Sequence, residues 1–490
     1  MKQFMDLKPE IVWKYFYEVT QIPRPSKKEG KIIDYLKTFA AKHGLDIRTD
    51  AAGNVLISKP ATTGYAHRPT VILQSHLDMV CEKHGYIVHD FDNDPIHPIV
   101  DGAWVRADGT TLGADNGIGV AAELAILASD DLQHGPLECL FTVDEETGLT
   151  GASALQQGFM TGNILLNLDS EDEGELFIGC AGGKNTTGTL RFTPCLTLDR
   201  TYFRIGVSGL RGGHSGCDIH KGLGNAIKIL VRFLNLLNDA CSAGQISRFV
   251  LAALEGGKLH NAIPRESSAV IGVKESERET VRILLNHFAA EMEEELRHVD
   301  PALHLSMETV DPPAFVLNDD SAACVINMLT ACPHGVLAMS HEMEGLVETS
   351  TNLAAVKTTD DHRIVILTSQ RSSLESGKKA AADQVSAVFG LGGAAVEQSD
   401  GYPGWAPDTG SAILHTAQET YRRLFGREAK VKAIHAGLEC GLFREKYPAL
   451  DMVSFGPTLR DVHSPNERIE IATVDLWWRH LLEILKEVGN

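Results

Sequence analysis

The chain has 490 residues, 43% of them hydrophobic and 22% charged, with a formal net charge of -20, a size that can bury large cores in two or more domains. The acidic balance and the lack of a long Lys/Arg run argue against a surface that tracks nucleic-acid phosphates. No run of about 18 apolar residues suggests a membrane span, and the opening MKQFMDLKPEIVWKYF is not built as a secretory signal, so a soluble, cytoplasmic protein is expected.

In chain order, the first third alternates strand-like and helix-like runs. VILQS (71–75), PLECLFTV (136–143) and NILLNL (163–168) are compact apolar strands, and the run from Gly117 to Asp130 has helical length and small apolar residues. This alternation predicts an α/β domain with a mostly parallel central sheet. The stretch from Asp101 to Gly113, rich in Gly, Asp and Thr, reads as a hairpin or loop excursion. After NTTGTLRF the pattern becomes strand (TYFRIGVSG), helix (GNAIKILVRFLNLLND), two strands (ISRFVLAALEG, SSAVIGV) and helix (ETVRILLNHFAAEMEEELRHV), an α+β insert. A further strand-and-helix round, from LAAVKTTDD to SAVFGLG, suggests a weak internal repeat with no shared residue pattern. The strand DMVSFG and the helix ATVDLWWRHLLEILKEV resume the α/β style. The expected division is 1–186 and 402–490 for a catalytic domain, interrupted by an α+β lid over 187–401.

The ends of the predicted strands carry polar side chains. His76 and Asp78 follow VILQS, Glu145 and Glu146 follow LFTVD, and Asp169 follows ILLNL; Asp115 opens a helix in GADNG, and His463 lies in DVHSPNE. A lone His-x-Asp is usually a capped strand end. Ligands of open α/β sheets bind at the carboxyl ends of the strands, however, where these distant residues can converge. Carboxylates with two histidines suit a divalent metal, and one shared carboxylate allows two ions roughly 3.5 Å apart.

The set SHLDMV, GADNGIG, DEETG, NLDSE, GLRGGHSG, HNAIPR and HSPNE resembles, over the whole chain, the dinuclear zinc peptidases and deacylases, a family that includes aminoacylases, carboxypeptidase G2 and the cytosolic dipeptidases, and most closely its Xaa-His dipeptidase branch. The resemblance implies that His76, Asp115, Glu146, Asp169 and His463 bind two divalent ions, most readily zinc, with cobalt or manganese as alternatives. Asp115 would bridge them, His76 and Asp169 completing one site and Glu146 and His463 the other. Glu145 would be the general base that takes a proton from water, whose pKa such ions lower towards about 7. Asp78 would orient the His76 imidazole. A cis peptide between Asp115 and Asn116 is also implied.

GLRGGHSG (209–216) is Gly-rich but lacks the Lys-Ser/Thr ending of a phosphate-binding loop. From sequence alone a turn with an ordinary histidine is as good a reading. The resemblance makes His214 an oxyanion-stabilising residue, and Asn261, Arg371 and Gly437 substrate-binding positions. HEMEG (341–345) lacks the second histidine of a zincin helix and reads as structural. The nine cysteines lack CxxC spacing and are expected as reduced thiols. The resemblance implies hydrolysis of dipeptides with free termini, carnosine-like Xaa-His dipeptides among them, with small peptides as the expected partners and a homodimer as the assembly considered. A deacylase or aminopeptidase using the same metals is the alternative, and a non-catalytic binding protein a third reading that the presence of Glu145 opposes.

Overall fold

The structure is a computed structural model that describes residues 4, 6–196 and 199–489. The chain divides into two compact units, the first comprising 1–180, 405–433 and 438–490, the second 181–404 and 434–437. The second unit therefore starts at Ala181 rather than at 187, because the strand Gly182–Arg191 pairs along its length with Arg363–Ser372 inside that unit's sheet. It ends at Gly404 rather than 401, since Tyr402 exchanges backbone hydrogen bonds with Gly183. Ile434 and Ala436 accept from the Ala181 N–H, which draws 434–437 into it as well.

The first unit is built on an eight-stranded sheet in the order 46–49, 55–59, 137–142, 71–76, 164–167, 451–454, 175–180, 430–434. Pairing is parallel among the four central strands and antiparallel where named on the flanks. Central strands are covered on both faces, so Val71–His76 and Leu137–Thr142 are buried at every residue, which is why they read as continuous apolar runs. The helix Ala114–Ala128 packs on Val71–His76. Its small residues permit a close approach: a Cβ on Gly119 would stand 2.9 Å from the Ser75 Cβ. The excursion near 101–113 is a true hairpin, Pro98–Asp101 against Trp104–Ala107, extended by 468–470 and 459–460 into a separate antiparallel sheet of four strands.

The second unit carries a nine-stranded antiparallel sheet, and the suspected repeat is present in its topology. One half runs strand 201–208, helix 226–242, strands 250–256 and 267–273, helix 278–296, strand 304–310; the other runs strand 182–191, helix 319–331, strands 347–359 and 363–372, helix 375–391, strand 395–398. The sheet order 304–310, 201–208, 267–273, 250–256, then 347–359, 363–372, 182–191, 395–398 is a mirrored sequence of equivalent strands meeting at the centre. The first half is inserted after the first strand of the second, so the repeating units are not consecutive in the chain. HEMEG forms the turn between Gly335–Met339 and Val347–Thr359. All nine cysteines are free.

Candidate active site

The parallel strands of the first unit end at one edge of the sheet, and the polar residues follow from there. His76 is the last residue of its strand and is 1% exposed. Its Nε2 lies 3.0 Å from Asp115 Oδ1 and 3.4 Å from Asp169 Oδ1. His463, in the segment between the strands 459–460 and 468–470, places Nε2 3.2 Å from Asp115 Oδ2 and 3.0 Å from Glu146 Oε2. Asp115 thus turns one oxygen to each histidine. Three overlapping groups, His76–Asp115–Asp169, Asp115–Glu146–His463 and His76–Glu145–Glu146, each bring their N and O atoms within 4.8 Å of one another. His463 and Asp144 adopt positive φ values of 59° and 50°, uncommon for residues other than glycine. The Asp115–Asn116 peptide is cis.

Asp78 holds several of these pieces at once. It lies 3.4 Å from His76 Nδ1, and its carboxylate accepts from Ser26 Oγ at 2.7 Å and from the Glu145 and Glu146 N–H groups at 3.0 and 3.2 Å. Burial alone would raise its carboxyl, but His76 and these donors hold it well below the usual range. The other acids crowd one another. Burial, with Asp169, Glu439 and Glu146 adding to it, pushes Glu145 well up. Asp169 is pushed up to about 7 by burial first and then by Asp115 and Glu146. Hydrogen bonds to Asp115 and Glu146 lift His463 to about 11, and His76 is raised against its own burial by Asp169, Asp115 and Asp78. Such a cluster favours cations among its carboxylates. Glu146 Oε1 and Asp169 Oδ1 are buried without a hydrogen-bond partner, and two imidazoles with three carboxylates are a donor set for divalent ions. The residues fit two such ions sharing Asp115.

In the second unit, His214 and Ala262 form a pair in a short two-stranded ladder, and the Ser215 N–H donates to the Asn261 carbonyl at 2.8 Å. The Gly216 and Cys217 N–H groups donate to His214 Nδ1 at 3.3 and 3.1 Å. With Nδ1 accepting, the neutral ring carries its hydrogen on Nε2. Burial and then Arg371 lower His214 to about 4, which keeps it neutral. Arg371, 5% exposed, donates to Tyr402 Oη at 2.9 Å and Ser215 Oγ at 3.3 Å, and its Nη2 stands 3.5 Å from His214 Nε2. Two hydrogen-bond donors therefore face the same space. A Cβ on Gly437 would lie 2.9 Å from the Tyr402 ring, so glycine there leaves room for the tyrosine that Arg371 engages. The four residues expected to meet substrate from this unit are gathered through Ser215 and Tyr402.

Three further residues were not singled out in the sequence. Glu439 is buried in the first unit, where Gln74 Nε2 and Thr142 Oγ1 donate to its Oε2 at 2.6 and 2.8 Å. Arg24, in IPRPS, and Glu467, in HSPNE, are 1% and 2% exposed and bond to the backbone around Asp78 and Asp115. A buried charge on a loop leaves no periodic signal. Only the position of Glu467 inside the quoted HSPNE motif could have drawn attention to it.

Comparison with known proteins agrees with this architecture. The model of peptidase family M20/M25/M40 matches residues 72–487. The cytosol non-specific dipeptidase of Escherichia coli (strain K12) is 43% identical over 497 aligned positions, covering 100% of this chain and 99% of that protein. The crystal structure of aminoacylhistidine dipeptidase from Vibrio alginolyticus superposes with a TM-score of 0.91 at 42% identity and covers 100% of both chains. A tripeptidase from Staphylococcus aureus, 18% identical, shares the fold with a TM-score of 0.56, over 98% of this chain and 99% of that one.

Proposed function

Because this chain belongs to peptidase family M20/M25/M40 and is a hydrolase, we propose that it cleaves dipeptides with free termini, Xaa-His dipeptides such as carnosine among them, with the aid of two divalent ions. The observation that carries the reading is Asp115, whose two oxygens face two histidines that each have a further carboxylate beside them. Similarity to a non-specific dipeptidase and to an aminoacylhistidine dipeptidase supports dipeptides as the substrate class.

His76 and Asp169 would hold one ion, Glu146 and His463 the other, and Asp115 both; zinc suits the donors best, and cobalt or manganese also fit. Ions held there would supply Lewis acidity and lower the pKa of water towards neutrality. Glu145, presented by the backbone that Asp78 holds, takes the proton of the attacking water and returns it to the leaving amine as the peptide C–N bond breaks. Asp78 fixes the His76 ring and the backbone that presents both glutamates. His214 donates from Nε2 to the carbonyl oxygen as its charge develops. Arg371, linked to Asn261 through Ser215 and to Gly437 through Tyr402, takes the substrate carboxylate, so that length is read at the C-terminus.

The test is metal analysis of the purified protein followed by assay on Xaa-His dipeptides, other dipeptides and their N-acetyl forms, with and without chelator. Two ions per chain and chelator-sensitive cleavage of free dipeptides are expected. Preference for the N-acetylated substrates would make it a deacylase instead.

A further inference from the structure

The shared carboxylate owes its position to two buried residues of opposite charge. Glu467 accepts four backbone N–H groups in succession: Leu112 and Gly113 reach Oε2 at 2.7 and 2.9 Å, and Ala114 and Asp115 reach Oε1 at 2.7 and 3.2 Å. Arg24 takes the other side of the same turn. Its Nη2 donates to the Gly113 carbonyl, while Nη1 donates to the carbonyls of Leu77 at 2.8 Å and Asp78 at 2.7 Å. One guanidinium therefore ties the loop of Asp78 to the loop of Asp115. The glycines around it make room, since a Cβ on Gly113 or Gly117 would stand 2.6 Å from Nη2.

An ordinary helix cap does not account for this arrangement. Although the four N–H groups lie at the start of the helix Ala114–Ala128, Asp115 has φ -82° and ψ 110°, which is not helical. Asn116 Nδ2 then donates to the Leu168 carbonyl at 2.9 Å, one residue before Asp169. The bonds of Glu467 and Arg24 thus fix the irregular turn from which the Asp115 carboxylate projects. Glu467 also lies four residues after His463, so a single segment delivers one ligand and the clamp for another.

We propose that Glu467 and Arg24 are positioning residues that hold Asp115 so that each of its oxygens serves one ion, making the two ion positions interdependent. The proposal rests on the dinuclear reading above. Glu467→Gln keeps one accepting oxygen but turns an NH2 donor towards backbone donors, so the turn loses its grip without a change in side-chain size.

Titration of metal-free protein with cobalt, followed by calorimetry and visible absorbance, tests this. Wild type is expected to bind two ions. Glu467→Gln should bind the first ion within about threefold of wild type and the second at least roughly tenfold more weakly, the scale of a lost outer-shell partner, with kcat falling and KM nearly constant. Arg24→Lys, which cannot reach three carbonyls in the same fork, should shift the second ion in the same direction by less, and it carries the test if Glu467→Gln does not fold. Both ions binding as in wild type to folded protein of lowered melting temperature would reduce the pair to a structural brace and overturn the proposal. Wild type binding a single ion would overturn the dinuclear reading beneath it.

Discussion

The two units present opposite electrostatic deficits. In the first, Asp78, Asp115, Glu145, Glu146 and Asp169 gather around two imidazoles, and both His76 and His463 are raised above their ordinary pKa. In the second, Arg371 lies buried against a tyrosine, a serine and a histidine. There burial, then Arg371, hold His214 near 4 and His435 near 3. The same residue type is thus set up to share acceptors with a cation in one unit and to stay neutral as a donor in the other. Carboxylates dominate one cluster, and a guanidinium with neutral imidazoles the other.

The largest effects should come from emptying the anionic cluster. Removal of divalent ions by chelator is expected to abolish hydrolysis, with zinc, cobalt or manganese restoring it; full turnover by protein verified as metal-free would refute the mechanism. Next comes the division between neighbouring glutamates. Glu145→Gln should lower kcat by about 100-fold or more while both ions stay bound, whereas Glu146→Gln should lower metal content. Equal metal loss in the two variants would show that their roles are not distinct.

The cationic cluster sets the next scale. Arg371→Met should cost about 2 to 4 kcal/mol in kcat/KM for a free dipeptide, as truncating one member of a buried charge pair does, with metal content unchanged. Against a dipeptide amide, which offers no carboxylate, wild type and variant should be nearly equal. A coupling energy near zero in that cycle would mean that Arg371 does not read the C-terminus.

How far the sequence disclosed these clusters follows from what each is made of. The parallel strands were legible because burial on both faces leaves uninterrupted apolar runs, and the polar residues just beyond 71–75, 136–143 and 163–168 stood out against them. His214 did not stand out in that way; its tautomer depends on two N–H groups of a glycine-rich turn, and only resemblance pointed to it. Arg24 and Glu467 act wholly on backbone atoms, Glu439 on side chains from two separate strands, and none of these partners is near in sequence. The domain boundary slipped by a few residues because the strand Gly182–Arg191 has the same extended pattern whichever sheet it joins.

The smallest effect concerns His435, which tests whether the second cluster truly lacks an anion. Its Nε2 meets Ser350 Oγ at 2.7 Å, and its Nδ1 is buried without a partner. Burial and then Arg371 lower it to about 3. Since the unfolded chain takes up this proton near pH 6.5 and the folded chain does not, unfolding becomes easier as pH falls through that value, by up to about 1.4 kcal/mol per pH unit for one group. The contribution is complete above pH 6.5 and declines towards the folded value. Hydrogen exchange of second-unit peptides between pH 7 and 5, corrected for intrinsic rates, should show a slope to which His214 and His334, each lowered to about 4, also contribute, and His435→Asn should flatten it by about one proton. A non-hydrolysable dipeptide analogue that brings a carboxylate to Arg371 should flatten it too, because the anion offsets the charge that keeps His435 neutral. If the analogue stabilises the protein yet leaves the slope of wild type unchanged, its carboxylate does not bind beside Arg371, and the contrast between the two clusters loses its functional meaning.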